Sequence, residues 1–303
     1  MRALACALIL ATALTSTSNA QTARDGLQVM HTEALDLRNI ALPSDHYGRC
    51  RGASGISHER SIVSCGRAIT ERHSLTATAT AYYHRGGHYQ ELGDEEHARE
   101  DFARAIEIYG RVMRAERRSA QAVYNRGIAY ARTDQFDQAL TDYAAAAALS
   151  PEWDTPHRVS GYAHFRRGDF AAALTAFDAA TALDSEDSNS QAGRCEALAA
   201  SGALELAEAA CAEAIRLDRD NAYAHTANGY LKYQQGRHEE AYESFDRALN
   251  IDSESALAAY GRGMSAVQIG RQAEGEADIA RARGQSVRAV SLYANAGMAF
   301  PSR

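Results

Sequence analysis

Between Ala120 and Pro151 the chain reads "AQAVYNRGIAYARTDQFDQALTDYAAAAALSP". Small residues recur through this stretch at helical spacing, with bulky ones set among them. The pattern breaks once, at Asp134, which divides it into two helical arms. The same pattern returns along the chain. Alanine or glycine stands at Ala98, Ala139, Ala173, Ala207, Ala241 and Gly275, with steps of 41, 34, 34, 34 and 34. A second small column runs Ala105, Ala146, Ala180, Ala214, Ala248 and Ala282, and a third runs Gly86, Gly127, Gly161, Cys195, Gly229 and Gly263. A bulky column lies between the two alanine columns: Phe102, Tyr143, Phe177, Cys211, Phe245 and Ile279. Turn residues Gly93, Asp134, Gly168, Gly202, Gly236 and Gly270 separate the arms. A period of this length is the mark of a repeat architecture. Facing small residues let two antiparallel helices approach closely, and the bulky residue fills the space beside them. One hairpin cannot bury its apolar face alone, so hairpins stack and share a continuous core. The 41-residue step holds seven extra residues around "RVMRAERRSA", about two helical turns. A lengthened helix would stay in phase; a longer loop is the alternative.

The pattern resembles the tetratricopeptide repeat family over residues 79–289, six units. Asn125, Gly127, Tyr130, Ala139, Tyr143, Ala146 and Pro151 stand on family positions, and "GYAHFRRGDFAAALTAFDAATALD" and "GYLKYQQGRHEEAYESFDRALNID" follow closely. The tryptophan-like residue early in the first helix is missing or replaced, as at His157 and His225, and the final proline survives only at Pro151. The resemblance implies an all-α, right-handed solenoid of helix-turn-helix repeats. Residues 46–78 resemble a degenerate further unit, with "SIVSCGRAIT" as its second helix and a first helix truncated into "HYGRCRGASG". The stretch "QSVRAVSLYANAGM" reads as a C-terminal capping helix, and residues 290–303 are assigned to that cap and tail. Residues 21–45 show no clear pattern.

The N-terminus, "MRALACALILATALTSTSNAQ", joins a basic residue, a short apolar run and "SNA" before Gln21. This is the layout of a secretory signal peptide over residues 1–20. The apolar run is too short for a permanent membrane anchor, so no stable membrane insertion is expected. Cleavage would leave 31 basic against 39 acidic residues and four cysteines, Cys50, Cys65, Cys195 and Cys211. An even count in an exported chain points to disulfides. In "GRCEALAASGALELAEAAC" (Gly193 to Cys211), Cys195 takes the place of the glycine facing the partner helix, and Cys211 that of the bulky residue facing back. Close-packed helices bring such α-carbons within disulfide reach. Cys50 and Cys65 repeat the arrangement at the degenerate unit. Two pairs of buried free thiols are the alternative, since cysteine also serves as a small core hydrophobe.

The full chain has 303 residues, 46% hydrophobic and 23% charged, with a net charge of −7. That balance, with no basic cluster interleaved with aromatics, excludes a general nucleic-acid binder. His84 and His88 are four apart, but Arg85 stands where a zinc protease motif has its glutamate, and no third ligand supports a metal site. "RGD" at Arg167 to Asp169 coincides with a repeat turn. No nucleotide loop, nucleophile elbow or zinc-type cysteine spacing is present. No enzyme, metal or cofactor is expected.

In solenoids of the resembled family the first helix of each unit lines a groove. By phase, its exposed face is expected to carry Tyr83, Tyr124, Ile128, Tyr162, Phe165, Tyr223, Tyr230, Tyr233, Tyr260 and Met264. Exposed tyrosine and phenylalanine are common interface anchors. Arg132, Arg158 and Arg166 are expected on the same face. The fourth unit offers only Ala192, Ala199 and Ala200 there, leaving a gap for a ligand side chain. The alternative is that the aromatics pack between adjacent units and the arginines pair with local acids. Some family members clamp a C-terminal carboxylate, but Thr155 and Val159 stand where the basic clamp residues would be. The expected function is an exported, periplasmic scaffold binding a protein or peptide in its groove. The runner-up is an accessory glycan-binding subunit for envelope polysaccharide or peptidoglycan.

Overall fold

The structure, a computed structural model, describes residues 45–52, 56–71, 74–116, 118–286, 290–291 and 293. The expected signal peptide over 1–20, nearly all of the 21–45 segment and residues 294–303 lie outside the described residues. The described residues form fourteen helices and no strand. A short α1 (Asp45–Cys50) and α2 (His58–Thr70) come first, followed by α3 (Leu75–Glu91), α4 (Glu95–Ala115), α5 (Ala120–Arg132), α6 (Phe136–Leu149) and α7 (Thr155–Arg166). Then come α8 (Phe170–Leu183), α9 (Ser188–Ala200), α10 (Leu204–Leu217), α11 (Ala222–Gln234), α12 (His238–Ile251), α13 (Ala256–Gln268) and α14 (Gln272–Gln285). The described helices divide into two compact units, one ending at Ala163 and one beginning at His164.

Each hairpin is built the same way. All six turn residues have positive φ, from 59° at Asp134 to 83° at Gly202 and Gly270. An L side chain pays a steric cost in that conformation, so glycine fills five of the six places. The reversal then starts a new helix, which in two of the six hairpins has a side-chain cap. Asp94 accepts from the His97 N–H at 3.2 Å, and Asp169 from the Ala172 N–H at 3.3 Å. The "RGD" triplet is therefore a turn and a helix cap.

The small columns are where helix backbones meet rings. A β-carbon added at Gly127 would lie 2.7 Å from the Tyr143 ring, and one at Gly229 would lie 2.9 Å from Phe245. Phe245 is also enclosed from the next hairpin, where a side chain at Gly261 would run into the same ring. The bulky column therefore bonds one hairpin to its successor. Ala98, Ala139, Ala173, Ala207 and Ala241 are all fully buried.

A polar tie runs beside this apolar seam. Arg85 grips Asp101 with Nε and Nη2, both at 2.7 Å, and Arg126 grips Asp142 at 2.8 and 2.7 Å. Arg262 does the same to Asp278 at 2.7 and 2.9 Å, and also reaches Asp246 at 2.6 Å. In the fifth hairpin Asn228 and Ser244 hold the same two positions with a neutral hydrogen bond of 2.9 Å. Bidentate geometry and partial burial make these pairs stronger than ordinary surface ion pairs.

The seven extra residues lengthen a helix. α4 has 21 residues where α6, α8, α10, α12 and α14 each have 14. Two whole turns keep the helix in phase with the next hairpin. At the N-terminal end, α1 and α2 pack a small core of Tyr47, Cys50, Cys65 and Ala68 against Ala77 and Ala81 of α3.

Candidate partner-binding face

The cysteines follow directly from the hairpin geometry. Cys195 on α9 and Cys211 on α10 occupy the glycine and ring columns, with α-carbons 5.2 Å apart and sulfurs at bonding distance. Cys50 and Cys65 have α-carbons 4.5 Å apart and sulfurs likewise at bonding distance. Both separations fall in the range a disulfide tolerates. In the fourth hairpin the sulfur pair replaces the glycine-on-ring contact of its neighbours.

In the unit ending at Ala163, the first-helix residues do not form an open face. Tyr124 is 1% exposed, its ring 4.8 Å from Trp153 and 6.1 Å from Tyr143. Tyr83, Ile128 and Tyr162 are also buried. Arg132 is buried too. Its guanidinium lies over the rings of Tyr83 and Phe102 at 5.6 and 5.9 Å, donates to the Tyr83 hydroxyl at 3.2 Å, and donates to Gln90 at 3.3 Å. Arg158 is half-buried.

The unit from His164 onward has the same character. Phe165 is buried against Phe170, ring centroids 5.2 Å apart, and Tyr223, Tyr260 and Met264 are buried. Tyr230 is buried under the ring of Tyr293, stacked at 5.0 Å. Arg166 and Tyr233 remain half-buried, with Tyr233 edge-on to His238 at 4.9 Å. The expectation of an exposed aromatic row is thus corrected for Tyr83, Tyr124, Ile128, Tyr162, Phe165, Tyr223, Tyr230, Tyr260, Met264 and Arg132. Helical phase gives the direction of a side chain, but neighbouring helices and the following segment cover what it points at.

The gap expected in the fourth hairpin is also filled. Stepping 34 residues from Tyr162 gives Glu196, and another 34 gives Tyr230. Glu196 thus stands in a column with Gly87, Ile128, Tyr162, Tyr230 and Met264, set among the alanines of the fourth hairpin. It is 1% exposed. The Tyr223 hydroxyl of α11 donates to its Oε2 at 2.7 Å, and the Tyr293 hydroxyl donates to its Oε1 at 2.6 Å. Among the described residues no cation pairs with it. Burial pushes its carboxyl up to about 7, against the opposing pull of the two hydroxyls. Burial and the neighbouring carboxylate likewise raise Tyr293 far above the usual phenol range. Tyr293, from the stretch expected to cap the last hairpin, thus reaches back to α9, α11 and the edge of the Phe245 ring at 6.5 Å.

His84 and His88 have structural surroundings. His88 Nε2 lies 2.8 Å from the Cys50 carbonyl and its Nδ1 3.0 Å from that of His58, while burial lowers His84 to about 3. No group of three metal-ligating side chains occurs among the described residues. Among them, too, no helix is long and apolar enough to cross a membrane.

Family comparison agrees with this geometry. Tetratricopeptide repeat descriptions match residues 79–111, 120–153, 159–222 and 226–295. No curated protein sequence matches the chain. Among solved structures, a tetratricopeptide repeat protein from Parabacteroides merdae superposes with a TM-score of 0.59 at 13% identity, covering 80% of this chain and 92% of that one. Yeast Tom70 superposes with a TM-score of 0.60 at 15% identity, covering 95% of this chain and 72% of that one. At such identities the likeness concerns fold alone. The matched repeats span most of the chain, their columns coincide with its hairpins, and the chain belongs to the tetratricopeptide repeat family.

Proposed function

We propose that the protein is an exported scaffold that binds a protein or peptide segment on the inner faces of its first helices. The observation that carries this reading is the succession of in-phase tetratricopeptide hairpins, each of which offers a first helix against which a polypeptide segment can pack. Two features support export to the periplasm. The chain begins with a basic, apolar and small-residue leader, and its two remaining cysteine pairs stand at disulfide distance. Of the residues from His164 onward, Arg166 and Tyr233 are the expected contact residues left partly open to a partner. Stacking on sugars requires open aromatic faces. Burial of Phe165 and Tyr260 therefore favours a polypeptide over a glycan.

The test is affinity capture from a periplasmic extract with the mature chain, followed by quantitative binding of the captured protein. Tyr233→Ala is expected to weaken binding by about 1 kcal/mol or more, the level of an interface anchor. Arg166→Ala is expected to weaken it most at low salt, because a rim charge is screened as ionic strength rises. Full-strength binding by both folded variants, or retention of glycan alone, would refute the reading.

A further inference from the structure

Glu196 is an expensive residue to bury. A carboxylate without a cation in the interior of a repeat costs far more than the tyrosine or aliphatic residue found at the same position in neighbouring hairpins. Both of its oxygens are nonetheless matched by phenol hydroxyls. One oxygen is satisfied from within the repeats, by Tyr223 at 2.7 Å. The other is satisfied from beyond the last hairpin, by Tyr293 at 2.6 Å, 97 positions along the chain. The ring of Tyr293 lies flat on Tyr230, at 5.0 Å and 20°, and edge-on to Phe245. The site therefore reads both the ring and the hydroxyl of a phenol. Tyr293 arrives after α14 has ended at Gln285, on the stretch that also carries the buried Val290.

We infer that the α9–α11 face is a receptor for a tyrosine side chain, that Tyr293 fills it as a tethered occupant, and that a partner segment binds there through a tyrosine of its own after displacing Tyr293. This rests on the proposed scaffold reading and names both the partner's chemistry and the device that controls access. Tethering gives Tyr293 a high effective concentration, so the free face is a minor state and a partner's apparent affinity falls by that fraction. A phenylalanine would fit the stack but leave the Glu196 oxygen unpaired in a buried site. Selection of tyrosine over phenylalanine is then on the order of tenfold or more.

The probe is a fluorescently labelled peptide of residues 286–303, "SVRAVSLYANAGMAFPSR", added to the full chain and followed by anisotropy. Tyr293→Ala in the full chain is expected to bind it at least about tenfold more tightly than the unaltered chain, because the site is vacated. Tyr293→Phe, which keeps the ring, should give a smaller gain in the same direction. A peptide with phenylalanine at the tyrosine position should bind Tyr293→Ala about tenfold more weakly. Equal peptide binding by the unaltered chain and both variants overturns the inference, as does equal binding of the two peptides. If Tyr293→Ala fails to fold, the Tyr293→Phe comparison decides alone. If neither folds, Tyr293 is part of the core and the inference fails. A dimer of the unaltered chain that Tyr293→Ala abolishes would assign the site to a second copy and overturn the partner assignment. Because the probe is the chain's own tail, none of these results depends on capturing a partner. Failure of the capture experiment is thus read separately.

Discussion

Replacing Glu196 with glutamine removes one ionisation from the interior while keeping shape and hydrogen-bonding capacity. The usual carboxyl value of 4.5 and the folded value of about 7 set its consequence. Below pH 4.5 Glu196 is protonated in both folded and unfolded chains and has no effect. Between 4.5 and 7 the unfolded chain releases the proton while the folded chain holds it, so stability falls as pH rises. Above 7 the loss is complete. At about 1.4 kcal/mol per pH unit, the gap corresponds to roughly 3 kcal/mol. That value is a ceiling, because release of Tyr293 would let water reach the carboxylate and relieve part of the cost. The assay is urea denaturation of both proteins at pH 5 and pH 8. Other titrating groups are common to both proteins, so the difference between them isolates Glu196. The unaltered chain should lose about 1–3 kcal/mol relative to Glu196→Gln on going from pH 5 to pH 8. Parallel pH profiles would refute the reasoning, since Glu196 would then not be held neutral by burial.

Three further outcomes are expected. Non-reducing peptide mapping of the exported protein should find Cys50–Cys65 and Cys195–Cys211, and loss of the second link should cost on the order of 3 kcal/mol; four free thiols or a Cys65–Cys195 link would contradict this. Ala173→Leu should overpack a fully buried helix contact and cost about 1–3 kcal/mol, while Glu239→Ala on the exposed face should stay within about 0.5 kcal/mol. Equal losses in denaturant melts would show the packing phase to be wrong. Arg262→Met should remove the close partner of the buried Asp278, now gripped at 2.7 and 2.9 Å, leaving Arg281 at 3.9 Å, and cost about 1–3 kcal/mol in the same melts. A neutral result would mean the ion pair is surface decoration.

Much of the fold was legible because its rules are local. Spacing of 3.6 residues per turn places Gly127 against Tyr143 and Gly229 against Phe245, and both partners lie within one hairpin. The turn column needed only the steric fact that a left-handed residue is cheapest as glycine, and all six positions adopt that conformation. The juxtaposition of Cys195 and Cys211 was readable for the same reason, since they take the places of two columns that face each other within a hairpin. The arginine–aspartate tie was equally present in the columns, at Arg85, Arg126 and Arg262 against Asp101, Asp142 and Asp278, and could have been found by asking which polar positions recur. What only the tertiary structure decided was coverage. Phase points Tyr124 and Tyr230 inward, but Trp153 and Tyr293 determine that they are buried rather than open. Glu196 stands in a visible column, yet its desolvation depends on a hydroxyl 97 positions away. A repeat fixes the direction in which each side chain leaves its helix; burial depends on whatever else folds over that direction, and no short-range pattern carries that information.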